Sequence, residues 1–315
     1  MERFEKSFSP DCIFFSFQQV ISDHLLPQYH LILQDQDPLP AYGLKLLLSF
    51  LERSPDIVHT VIKQELLVTI SQILQSHAGQ LDRSMAQSVV GLLDCLVSAK
   101  DVDVSSLYNQ GLIDGLVSLF VDVAESQNDE NSPGSDSAAA MLIPLLDALN
   151  NTLKFVSREV RKALQSKTES ATENSGQTQL AEKLLVESKP LVEMTGVLIN
   201  FLCHEDPDVR DNACRCLYLM VELFGAIYED ALSVENMEYF AEALKTADVK
   251  KQKQLLRIIK RLLSSNGQPN DLKGDAQVLV DVLQQIINSS DSSNAESAAV
   301  PGLALEILAK FGLTK

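Results

Sequence analysis

The sequence predicts an all-α protein, a right-handed superhelical stack of helix pairs. Three observations predict it. Aliphatic residues recur at helical spacing along nearly the whole chain. Cap residues followed by proline mark helix starts at 206–207 and 54–56. Similar helix starts return at Leu66, Leu112, Leu191, Met237 and Val278, in steps of 46, 79, 46 and 41 residues. Three of these steps fall near the period of about 40–47 residues of HEAT and armadillo units. The expected fold is therefore a HEAT/armadillo-like right-handed helical solenoid of roughly five to seven helix pairs.

Taken in order, residues 1–36 form a lead-in of helices, and residues 37–315 form the repeat stack. Leu44, Leu47, Leu48 and Leu51 make the first apolar stripe of that stack. Ser54, Pro55 and Asp56 start a second helix bearing Ile57, Val58, Val61 and Ile62, and Leu66, Leu67, Ile70, Ile73 and Leu74 follow. Val89, Val90, Leu92, Leu93, Leu96 and Val97 line a further helix. The run from Asn109 through Gly111 to Phe120 reads as the start of an armadillo third helix, with glycine permitting the sharp turn. A long helix carries Leu142, Leu145, Leu146, Leu149, Leu153 and Val156, between polar stretches at 125–137 and 165–179 that read as flexible loops. Asp206 caps a helix whose first residue is Pro207, where the missing N–H costs nothing. Val209, Ala213, Leu217 and Met220 continue one face of it. Shorter loops cover 264–275 and 289–294, and the helix from Val300 to Leu308 caps the stack in a single continuous domain.

Composition narrows the function classes. The formal charge of −17 argues against nucleic acid or an anionic membrane meeting the whole surface, and favours basic partners. Five cysteines, Cys12, Cys95, Cys203, Cys214 and Cys216, read as buried thiols in a reducing compartment. No long uncharged apolar run and no signal-peptide pattern is present, so the expected location is cytoplasmic, with no membrane insertion.

The residues offer no catalytic, cofactor or metal site. Glycine-rich phosphate loops, zinc-protease helices, nucleophile elbows and the kinase His-Arg-Asp and Asp-Phe-Gly signatures are all missing from the sequence. Cys203, His204, Cys214 and Cys216 are the nearest thing to a metal set, but Cys214 and Cys216 diverge on a helix and read as core fillers. The acid pairs Asp101/Asp103 and Asp206/Asp208 sit at helix starts, where carboxylates cap N–H groups.

One cluster stands out from the acidic background. Lys250, Lys253, Arg257, Lys260 and Arg261 share one helical face, with Lys251 beside them and Leu255, Ile258, Ile259 and Leu262 opposite. Two readings stand: a contact for an acidic partner segment, or a solvated face that offsets acids of the next repeat.

Several stretches resemble the C-terminal HEAT/armadillo region of the Unc-51-like kinase four (RUNKEL-like) pseudokinase family. They include Asp37 to Leu47, Met85 to Val89, Leu107 to Leu112, Glu205 to Pro207, Gln254 to Arg261 and Leu303 to Leu308, across residues 37–312. The resemblance implies a non-catalytic, protein-binding scaffold linked to cilia, microtubules and neuronal development. It implies kinases or cytoskeletal and ciliary components as partners, and a possible ciliary or cytoskeletal association. The alternative is a repeat-built regulatory subunit that modulates a partner kinase in trans. The kinase-like domain of that family has no counterpart among these 315 residues, so no nucleotide-binding residue carries over.

Overall fold

The computed structural model describes residues 19–54, 56–76, 83–99, 104–127, 135–169, 175–225, 227–265, 276–289 and 295–312, and among these it is helical with no strand. Cys12, Pro55, His77, Asp101 and Asp103 lie outside the described residues. The chain divides into two compact units, Met1–Glu125 and Ser126–Lys315, where the sequence suggests one continuous stack.

In unit 1, the short helix α1 (Tyr29–Leu33) packs on α2 (Leu39–Arg53) and on α4 (Leu66–Ser76). The described part of the lead-in packs into the core of this unit: Tyr29 and Leu33 are buried, and the Tyr29 hydroxyl donates to the Gly43 carbonyl at 2.7 Å. α2 also packs along α5 (Arg83–Ser98), where Gly91 leaves just enough room for the Leu48 side chain. Between them, α3 (Ile57–Lys63) runs into α4 through a 69° bend. That bend is set by Glu65, whose φ of 53° is left-handed. The same joint returns between α6 (Val104–Asn109) and α7 (Leu112–Gln127), with Gly111 at φ 88°. Gly111 thus joins a short helix to the long one after it, so it opens the second member of the local set and not a third helix. A Cβ there would stand 2.9 Å from the Ser71 hydroxyl, which donates to the Gly111 carbonyl at 3.1 Å. Gln110 donates to the Ile62 carbonyl at 3.0 Å and ties the two joints together.

Unit 2 contains α8 (Ser135–Glu169), α9 (Ser175–Glu187), α10 (Thr195–Asn200), α11 (Pro207–Phe224), α12 (Val234–Thr246), α13 (Val249–Ser265), α14 (Gln277–Ser289) and α15 (Ala295–Lys310). Its packing has the two-layer order of a helical repeat stack. One layer runs α8, α11, α13, α15, each packed on the next; the other runs α10, α12, α14. The layers meet pairwise as α10–α11, α12–α13 and α14–α15. Aliphatic side chains fill the seams, among them Leu146, Leu198, Leu217, Leu244, Ile259 and Ile307, all fully buried. Burial of such residues is the main stabilising term, roughly 1.5–3 kcal/mol each.

The polar stretches expected as loops are partly helical. Residues 125–127 end α7, 135–137 open α8, 165–169 end α8 and 175–179 open α9. Ala, Ser, Gln, Glu and Lys propagate a helix with little penalty, and low hydrophobicity does not break one. Residues 128–134 and 170–174, the middles of those stretches, lie outside the described residues, as do 266–275 and 290–294.

Candidate protein-interaction surface

The helix start at Asp206 forms as its residues dictate. Pro207 begins α11, and the Asp206 carboxylate accepts from the Asp208 N–H at 2.8 Å. Arg210 reaches back to the carbonyls of His204 and Glu205 at 2.6 and 2.9 Å and fixes the approach of the chain. α11 is then gripped from both sides of its layer. The Cys216 thiol donates to the Leu146 carbonyl on α8 at 3.3 Å, while Gln254 on α13 donates to the Cys214 carbonyl at 3.5 Å. Burial raises both thiols, Cys214 to about 12. Cys203, also raised by burial, donates to the Tyr239 carbonyl at 3.3 Å. Cys214 and Cys216 are buried as the sequence suggests, whereas Cys203 and Cys95 are only half-buried, because they sit toward the edges of their helices' packed faces. Among the described residues no group of His, Cys, Asp and Glu is placed to hold a metal ion.

The outward face of the same layer carries the charge. α13 buries Leu255, Leu256, Ile258, Ile259, Leu262 and Leu263, and leaves its lysines and arginines outside. The structure sorts these cations. Lys251 pairs with Asp211 of α11 at 2.6 Å, and Lys260 pairs with Glu306 of α15. Arg261, exposed on the same face, is also engaged. Lys250, Lys253 and Arg257 have no ion-pair partner among the described residues, and they line a cleft of about 400 Å³ with Tyr218, Val249 and Gln254.

A second cleft, of about 330 Å³, lies on the other side of α11. Lys154, Ser157, Arg158, Arg161, Lys162 and Gln165 of α8 line it with Leu219 of α11. Here Arg161 reaches Glu222 at 2.9 Å, and Arg158 and Lys162 hold Glu159 at 3.1 and 2.9 Å. Burial pushes the Glu159 carboxyl up, but the hydrogen bonds from Lys162 and Arg158 outweigh it, and the net shift is downward. Sequence inspection does not single out the α8 cations, because Glu159 interrupts them. They join the α13 group only when α11 is seated between the two helices.

The opposite layer differs. α12 sets Glu235, Glu238 and Glu242 against Lys245, and α14 contributes Asp281. No single described helix is long and apolar enough to cross a membrane.

With this arrangement in view, the likenesses to known proteins are specific. A family model described as serine/threonine-protein kinase ULK4-like, HEAT repeats, matches residues 15–59. The mouse serine/threonine-protein kinase ULK4 is 40% identical over 253 residues, which cover 80% of this chain. The chain is a HEAT-repeat region of the ULK4-like family. It spans 19% of the length of the mouse relative. Among solved structures, a computationally designed armadillo repeat protein for modular peptide recognition is 15% identical, covers 91% of this chain and 99% of its own, with a TM-score of 0.49. An engineered protein is 17% identical, covering 91% and 98%, with a TM-score of 0.46. The all-α repeat fold rests on the two-layer packing of the chain itself.

Proposed function

We propose that this region is a non-catalytic scaffold that binds other proteins through the outward face of its helix layers. The observation that carries this is the division of labour within unit 2. The Cys216 thiol and the Gln254 amide are spent on backbone carbonyls, while cations collect along two open clefts of one layer. These cations are paired at Arg158, Arg161 and Lys162, and without an ion-pair partner among the described residues at Lys250, Lys253 and Arg257. A stack of this kind offers a long, preformed surface and no convergent set of acid, base and nucleophile. The family points to kinases or to cytoskeletal and ciliary components as partners, and to a cytoplasmic setting.

Proximity labelling with the full chain in ciliated cells tests this. Expected are recurrent protein neighbours that a destabilised core variant, Leu217→Asp, no longer gathers. Labelling indistinguishable between the two would overturn it. A kinase captured in this way should keep its rate when the chain is added; a changed rate would replace the passive scaffold with a regulatory subunit.

A further inference from the structure

We propose that the two clefts flanking α11 form one docking site for an acidic, extended peptide segment of a partner protein. This deepens the scaffold reading and rests on it. The site has a basic rim from Lys154 and Arg158 on one side and Lys253 and Arg257 on the other, with Tyr218 and Leu219 of α11 between them.

Three observations point there. The first is the cost of the arrangement. Lys250 and Lys251 stand in the first turn of α13, with no acid among its first residues. A helix N-terminus carries partial positive charge, so cations there are disfavoured. Asp248 caps the helix, accepting from the Lys251 N–H at 2.9 Å, and Asp211 neutralises Lys251. Nothing among the described residues neutralises Lys250, Lys253 or Arg257. Local rules broken without an internal compensation mark sites kept for something outside the chain.

The second is chemistry. The charges line recesses beside exposed apolar and aromatic surface: Val249 is 42% exposed, and Tyr218 and Leu219 are half-buried. A peptide can place carboxylates on the rim and an aliphatic side chain on this floor. A phosphate backbone or a lipid headgroup layer brings charge but no matching apolar insert. Both would also bring a dense negative field toward a chain of net charge −17. A short acidic segment is screened from that charge beyond about 8–10 Å.

The third is spacing. Neighbouring packed helices lie about 8–10 Å apart, so two clefts that share α11 are separated by about that distance. An extended chain advances about 3.3 Å per residue. One carboxylate in each cleft therefore requires acids about three residues apart, with an apolar residue between them over Tyr218 and Leu219. The recognised pattern is acid–x–x–acid with an aliphatic or aromatic x.

The test uses the full chain and a fluorescein-labelled peptide containing Asp-Glu-Leu-Val-Glu-Asp between Gly-Ser flanks, read by fluorescence anisotropy. The competitors are the same peptide with lysine at every acid, a single-stranded oligonucleotide of equal charge, and phosphatidylserine vesicles. Expected is saturable binding of the acidic peptide that weakens with salt. It should weaken about tenfold or more in Lys154→Glu and in Lys253→Glu, and stay unchanged in Lys245→Glu on the opposite layer. Helicity by circular dichroism checks each variant. If a reversal disturbs it, Lys154→Gln and Lys253→Gln take its place, with the same direction expected. Binding that ignores these substitutions, or tighter binding of the oligonucleotide or vesicles, would overturn the docking site. Proximity partners retained by Lys253→Glu while the peptide is lost would leave the scaffold reading intact, with a different face in use.

Discussion

In unit 1 the long-range polar contacts close helix joints: Tyr29 to the Gly43 carbonyl, Gln110 to Ile62, Ser71 to Gly111. In unit 2 ion pairs between helices run across the surface of one layer: Arg161 to Glu222, Lys251 to Asp211, Lys260 to Glu306. Both units spend polar side chains inward, unit 2 through Cys216 and Gln254, and unit 2 adds these ion pairs on its outward face. Inward contacts fix where helices turn, and their loss leaves a buried group without a partner. Outward contacts are solvated and worth little for stability, so that surface is free to change its charge pattern for a partner.

Substitutions can break or sharpen this contrast. The largest effect belongs to Gly111→Ala, which forces a side chain into a left-handed backbone and against the Ser71 hydroxyl. The strain costs about 1–2 kcal/mol and the disturbed hydrogen bond about 1 more, so urea unfolding followed by circular dichroism should shift by about 2–3 kcal/mol. The absence of tryptophan makes ellipticity the suitable signal. Tyr29→Phe removes the donor to Gly43 in a fully buried setting and should cost about 1–2 kcal/mol, visible as faster amide exchange in α2. Glu65→Gly should act in the other direction. Removing the left-handed Cβ penalty, less the greater entropy of glycine in the unfolded chain, gives about 0.5–1 kcal/mol of added stability.

The smallest effect lies in unit 2. Glu159 is held below its ordinary carboxyl range in the fold, so it contributes stability above that range and loses it as pH falls through the folded value. Glu159→Gln should cost less than about 1 kcal/mol near neutrality, and its urea midpoint should converge with that of the parent chain in acid. An effect at Glu159 larger than at Tyr29 would reverse the comparison.

The legible parts of the sequence were those where one residue enforces local geometry. Asp206 and Pro207 start α11, Gly111 turns the chain into α7, and the aliphatic stripe of α13 faces inward. Glu65 was harder, because a non-glycine residue in a left-handed conformation carries no sequence signature of its own. Pro190 and Leu191 proved to lie in a 3₁₀ turn, Lys189–Met194, just before α10. The extents of α8 and α9 were obscured by polar residues that favour helices nearly as well as apolar ones do. For the surface, one stripe on α13 was visible, but which of its cations are paired depends on Asp211 and Glu306, distant in sequence. The α8 half of the surface exists only once α11 packs between.

The thiols of Cys214 and Cys216 have a practical use. Alkylation needs the thiolate, and burial of both groups suppresses it while α11 stays seated. Their modification rate, followed by mass spectrometry of the α11 peptide, therefore clocks how often this helix lifts from its neighbours, and a ligand that bridges α8 and α13 would slow that clock without touching either sulfur.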